Sequence, residues 1–168
     1  MVPFFVLTLF AGVRPDWKGG EISKIRPKDI DLANGVIRIE PEVSKINEKR
    51  QIKVQPNLDL WLKKYPLPDA GALPPRNPER VIRDIRKHFN LGHDVLRHTY
   101  CSMTVGAFRS VGDAALQAGN SEAIIRQNYL DLKTEEEADA FWRIVPKGMS
   151  LPGMLKKHEG RFLPSTYK

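Results

Sequence analysis

The stretch from His93 to Tyr129, HDVLRHTYCSMTVGAFRSVGDAALQAGNSEAIIRQNY, constrains this chain more than any other part of it. Within it Leu96, Tyr100, Met103 and Ala107 recur at i, i+4, i+7 and i+11, the apolar line of a helix laid on a core. Arg97 stands one residue round from that line, so it is expected to border the core and to aim into a cleft. Gly112 and Gly119 break the rest of the stretch into short helical pieces, with Asp113 or Ser121 available as N-terminal caps. Tyr129 closes the last piece.

Ahead of this stretch the chain changes period twice. The apolar run VPFFVLTLFAGV, Val2 to Val13, reads as a core helix that Gly12 can end, and Arg14-Pro15 leaves it extended before a short helical segment Glu21 to Ile25. From Asp29 the period becomes two: Ile30 and Leu32, a turn at Asn34-Gly35, then Val36, Arg38 and Ile39, which predicts a hairpin. A third strand, Arg50 to Val54, comes after a polar tip at Ile46 to Lys49, and Lys45 stands at the edge of that tip. Pro56 to Tyr65 reads as a helix with Leu58, Trp61 and Leu62 inward. The five prolines of the segment from Pro66 to Pro78, both ends included, make it a surface loop.

Asn77 is expected to cap a helix with Val81, Ile82, Ile85 and Phe89 on one face and Arg80, Arg83, Arg86 and Lys87 around the rest. Thr134 with Glu137 forms a capping box ahead of the stripe Ala138, Phe141, Trp142 and Val145. The expected fold class is α+β and mostly helical, a small antiparallel three-stranded sheet beside a helical core. The main domain is expected over residues 1–146, with a C-terminal tail, 147–168, that has no long period.

Composition narrows the partner. A net charge of +7 over 168 residues, with pI near 9.6, favours a polyanion, nucleic acid before membrane. The run Val2 to Val13 is too short to span a bilayer and lacks a basic leader. Cys101 is the single cysteine, which excludes an intramolecular disulfide and fits a reducing cytoplasm. His88, His93 and Asp94 lack the helical spacing of metal ligands, so no metal and no cofactor is expected.

The order AGVRP, a hairpin with SK, LRHTY, then AGNSEAIIRQNY resembles the catalytic domain of the tyrosine recombinase (phage integrase) family. That family carries an arginine after the first helix, a hairpin lysine, a histidine three residues before a second arginine, a histidine or tryptophan in a GHS-like turn, and a tyrosine nine residues after it. The resemblance covers about Val6 to Pro146 and implies the catalytic set Arg14, Lys45, Arg97 and Tyr129. Taken singly, Arg14 reads as a helix-end charge, Lys45 as a turn residue and Tyr129 as a half-buried side chain. Their joint order carries the resemblance, while His98 reads as a structural core histidine.

The resemblance implies metal-free DNA strand cleavage and rejoining, as in the integration of a mobile element. Tyr129 is the expected nucleophile, forming a 3′-phosphotyrosine. Arg14 and Arg97 present charged planar forks to the phosphate, and Lys45 protonates the departing 5′ oxygen. Duplex DNA is the implied partner, bound also by Arg80, Arg83, Arg86 and Lys87, with a monomer in solution and a tetramer on DNA.

Two family positions depart: Asp94 stands where histidine is usual, with His93 one place earlier as a possible substitute, and Asn120 replaces the turn histidine. An anion at Asp94 a few ångströms from a phosphate costs on the order of a few kcal/mol at intermediate dielectric, which predicts slow or absent turnover. The alternatives are a catalytically impaired DNA-binding remnant and a non-enzymatic protein-interaction module. Family members usually carry a separate amino-side helical domain that completes a DNA clamp. The abrupt apolar start therefore suggests a carboxy-terminal part of a longer recombinase.

Overall fold

A computed structural model describes residues 1–44, 47–73, 76–128, 133–151, 153, 155–158 and 160–164. The first helix, α1 (Val2–Ala11), opens with Pro3 in its first turn and ends at Gly12. Gly12 adopts the left-handed conformation (φ 61°), and a Cβ there would strike the ring of Tyr100. The glycine thus serves both the cap and the close approach of α1 to the central helix.

After the short helix α2 (Glu21–Lys24), strands β1 (Ile30–Asp31), β2 (Val36–Ile39) and β3 (Arg50–Lys53) form an antiparallel sheet in the order β1-β2-β3. Ile37 faces Ile52 and Ile39 faces Arg50 in the β2–β3 register. Because side chains alternate between faces, Arg50 shares the buried face with Ile37, Ile39 and Ile52.

Next along the chain are helices α3 (Pro56–Lys64), α4 (Pro78–His88) and α5 (Val95–Phe108). On α3, Leu58 and Leu62 are buried, while Trp61 is only partly so and donates its indole N–H to Ile144 O. Asn77 stands at the N-cap of α4 but has a left-handed backbone (φ 48°) and no side-chain cap bond. Of the apolar face expected on α4, only Ile82 is buried, and Phe89 is 64% exposed. On α5 the buried line runs through Arg97, Tyr100, Cys101, Thr104 and Ala107, so Arg97 lies on it and not beside it. His98, expected in the core, is exposed and faces Asp94 one turn earlier.

The remaining helices are α6 (Val111–Ala118), α7 (Glu122–Asn128) and α8 (Glu135–Trp142). Ser110, not Asp113, caps α6, its hydroxyl accepting from the Asp113 N–H. Ser121 does cap α7, accepting from the Ile124 N–H, and the Thr134/Glu137 capping box forms on α8. Helix α8 drives Phe141 and Trp142 against Phe10, with ring centroids 5.1 and 6.4 Å away, and Trp142 meets Tyr100 edge-on. Where a tail without long period was expected, strands β4 (Leu155–His158) and β5 (Arg161–Pro164) form a hairpin. Phe162 of that hairpin is buried in the same core, and Gln55 fastens it through the Phe162 N–H and Gly160 O.

Candidate functional site

The C-terminus of α6 is where distant parts of the chain meet. Any α-helix ends with carbonyls that lack a partner in the next turn and carry partial negative charge. Here the αL residue Gly119 returns its N–H to Ala115 and Leu116, and the N–H of Asn120 reaches Ala115 O at 3.0 Å. The next three carbonyls each accept from an arginine: Gln117 O from Arg50 Nε (2.9 Å), Ala118 O from Arg97 Nη2 (2.6 Å) and Gly119 O from Arg14 Nη2 (2.8 Å). The three arginines come from β3, α5 and the segment after α1.

One carboxylate sits among them. Glu21 is fully buried and receives Arg50 through two parallel bonds, Nη1 to Oε1 at 2.9 Å and Nη2 to Oε2 at 2.7 Å. Arg14 adds Nη1 to Oε1 at 2.9 Å and its own backbone N–H to Oε2 at 3.1 Å. Burial pushes the Glu21 carboxyl up, but the hydrogen bonds and charge of Arg50, then those of Arg14, outweigh it and hold the group down at about 2. Glu21 is therefore ionised at neutral pH. Three guanidinium groups against one carboxylate leave a surplus of two positive charges in this cluster.

Arg14 is the most open of the three, its side chain 17% exposed, and it lies between two clefts. The first, about 440 Å³, is lined by Arg14, Arg50, Gly119, Asn120 and Ser121, together with Glu48 and Lys49. The second, about 350 Å³, is lined by Arg14, Lys24, Ser44, His93 and Asp94. Asn120 accepts from Arg14 Nη2 through Oδ1 at 3.0 Å, which leaves its amide N–H groups as donors. Arg97 is 2% exposed and gives its other terminal nitrogen to Gly12 O, so its guanidinium faces main chain and not the cleft expected for it.

Thus Arg14, Arg97 and Asn120 come together around one turn, and His93 and Asp94 lie on the other side of Arg14. Asp94 stands at the N-cap of α5, 3.8 Å from His98 Nε2, and its buried Oδ1 has no hydrogen-bond partner among the described residues. It makes no ion pair with Arg97. Lys45 and Tyr129 lie outside the described residues. The basic residues of α4 are partly engaged: Arg80 and Arg83 flank Asp84 at 3.6 and 3.5 Å, and Arg86 donates to His93 O at 2.8 Å. Lys87 is exposed. Among the described residues no group of His, Cys, Asp and Glu is arranged to hold a metal ion. Burial raises the Cys101 thiol to about 11, which keeps it an un-ionised core side chain.

Glu21 and Arg50 are the site residues that sequence reasoning missed. Arg50 carried a usable signal, a cation in register with Ile52 and Val54 on the inward side of a strand. No local pattern marks Glu21.

No protein-family model and no curated protein matches the chain. Among solved structures it is similar to an integrase from mycobacterium phage Brujita, with a TM-score of 0.53 and 14% sequence identity. The match takes in 83% of this chain and 50% of that one, so this chain spans half the length of the integrase. The likeness is one of fold, an α+β integrase-like domain. No helix among the described residues is long and apolar enough to cross a membrane.

Proposed function

We propose that this domain cuts and rejoins duplex DNA as the catalytic part of a tyrosine-type integrase. The observation that carries the reading is the arginine cluster at the α6 terminus, with its surplus of two positive charges beside an open cleft. Fixed guanidinium groups in a partly dry site suit an oxyanion whose charge grows during reaction. The integrase-like fold supports the same reading.

In this reaction the Tyr129 oxygen attacks the phosphorus, its proton passing to solvent water, and the bond to the 5′ oxygen breaks. Lys45 hands that oxygen a proton, giving a 3′-phosphotyrosine and a free 5′ hydroxyl. A 5′ hydroxyl from another strand reverses the step and restores the phosphodiester. Arg14, the most open of the three arginines, meets the phosphate first, and Asn120 donates its amide to a phosphoryl oxygen. Arg97 joins them by exchanging its Ala118 carbonyl for a phosphate oxygen.

One observation favours the remnant as a second reading: the unpartnered Oδ1 of Asp94 puts negative charge on the cleft that Arg14 shares. A nicked suicide DNA substrate separates the two. The integrase reading expects a denaturation-resistant adduct that Tyr129→Phe abolishes while leaving duplex binding nearly unchanged. Asp94→His with Asn120→His is expected to raise adduct formation at least tenfold, about 1.4 kcal/mol of barrier. An adduct that survives Tyr129→Phe removes Tyr129 from the mechanism. Salt-dependent binding with no adduct from either the natural chain or the double variant leaves the remnant.

A further inference from the structure

A separate cavity of about 240 Å³ opens between the Asn34–Gly35 turn and the β4–β5 hairpin. Lys53, His158 and Arg161 line it, and among the described residues no carboxylate does. Arg161 is partly buried, its Nε is buried without a hydrogen-bond partner, and its guanidinium makes no ion pair among the described residues. Among the described residues the acids nearest to it are otherwise placed. Asp31 holds Arg38 and Asn34, and Asp113 faces Gly160.

Gly35 explains how the guanidinium is seated. A Cβ at this left-handed residue (φ 64°) would fall on both terminal nitrogens and the central carbon of Arg161 together, so the planar group lies flat over the bare glycine. That stacking fixes the plane of the fork, and Arg161 is among the residues that line the cavity. A partly desolvated, unpaired guanidinium beside a lysine and a histidine is an arrangement that an anion completes.

We propose that this cavity binds a phosphate group, with Arg161 as its main partner and Lys53 and His158 alongside. The site is distinct from the arginine cluster. Strand β3 separates them, Arg50 at its start belonging to the cluster and Lys53 at its end to this cavity, about 10 Å apart along an extended strand. The phosphate comes either from a DNA backbone or from the free ion, and the chemistry at Arg161 is the same for both.

The test uses the full chain, ¹⁵N-labelled and titrated with inorganic phosphate against chloride at constant ionic strength. Saturable shifts are expected at the amides of Gly35, Lys53 and Arg161. Arg161→Met, which keeps the aliphatic stem, is expected to weaken phosphate at least tenfold, and Lys53→Met several-fold. Should Arg161→Met fail to fold, Arg161→Lys and Lys53→Met carry the same comparison. No saturable shift at these amides, or equal affinity in the variants, overturns the proposal. A second arm measures binding of a short duplex across a salt series. A slope reduced by about one in Arg161→Met assigns the bound phosphate to DNA. An unchanged slope, with the phosphate shifts still lost, assigns it to the free ion. Neither arm requires strand cleavage, so failure of the integrase reading does not decide this one.

Discussion

Glu21 joins Arg14 to Arg50, and its ionisation ties the cluster to pH. Its carboxyl lies at about 2 in the folded chain against an ordinary value of 4.5. A depressed acid contributes stability that is fully present above the unfolded value and is lost as pH falls from about 4.5 towards 2. The difference is on the order of 3 kcal/mol. Glu21→Gln is therefore expected to lose several kcal/mol at pH 7, because the enclosed Arg50 and the partly buried Arg14 lose their counter-charge, and to show a flatter acid limb. Denaturant melts of both forms at pH 7 and pH 3 check this, and parallel pH dependence in the two would exclude Glu21 as the linked group. The residues readable in the sequence, Arg14, Arg97 and Asn120, are those whose order along the chain is itself a pattern. Glu21 is not readable there because its burial depends on arginines seven and twenty-nine positions away. His98 is expected inside and found outside because, at about 100° per residue, it falls beyond the arc of α5 that Arg97, Tyr100 and Thr104 bury.

Helix α8 shows what local signals do well. Its capping box, its acidic first turn and its apolar stripe agree with one another, and the helix starts where they predict but ends at Trp142, leaving Val145 of the stripe outside it. Thr134→Ala removes the hydroxyl that accepts from the Glu137 N–H and is expected to cost about 1 kcal/mol, a fall of roughly 2–4 °C in Tm for a chain of this size. A Tm unchanged by the substitution would mean that the cap is replaced by water at no cost. Helix α4 shows the limit. Periodicity says which face is apolar and not whether another element covers it, so Ile82 is buried while Phe89 is not. The β4–β5 hairpin is hard to read in the sequence for a related reason. Four-residue strands around a single glycine carry little pattern of their own, and Gln55, more than a hundred residues away in sequence, supplies bonds that hold it.

Over the described residues, the cluster, the α4 surface and the cavity at Arg161 each gather several basic side chains. Duplex affinity is expected to fall steeply with salt, as each neutralised phosphate releases its counterions. Arg83→Gln with Lys87→Gln, both on exposed α4 positions, is expected to lower the slope of log affinity against log salt by about two without changing sequence preference. Fluorescence anisotropy at several salt concentrations measures it, and an unaltered slope would take α4 off the DNA. The arginine grip on α6 has a further consequence, in time and not in space. Its longest-range bonds join residues 67 to 106 positions apart, and loops of that length close after local helices have formed. The cluster is thus among the last features of the chain to assemble, and substitutions within it are expected to speed unfolding more than they slow folding. On a ribosome, a chain that has not yet released Gly119 carries the cluster's three arginines and has no complete place to bring them together.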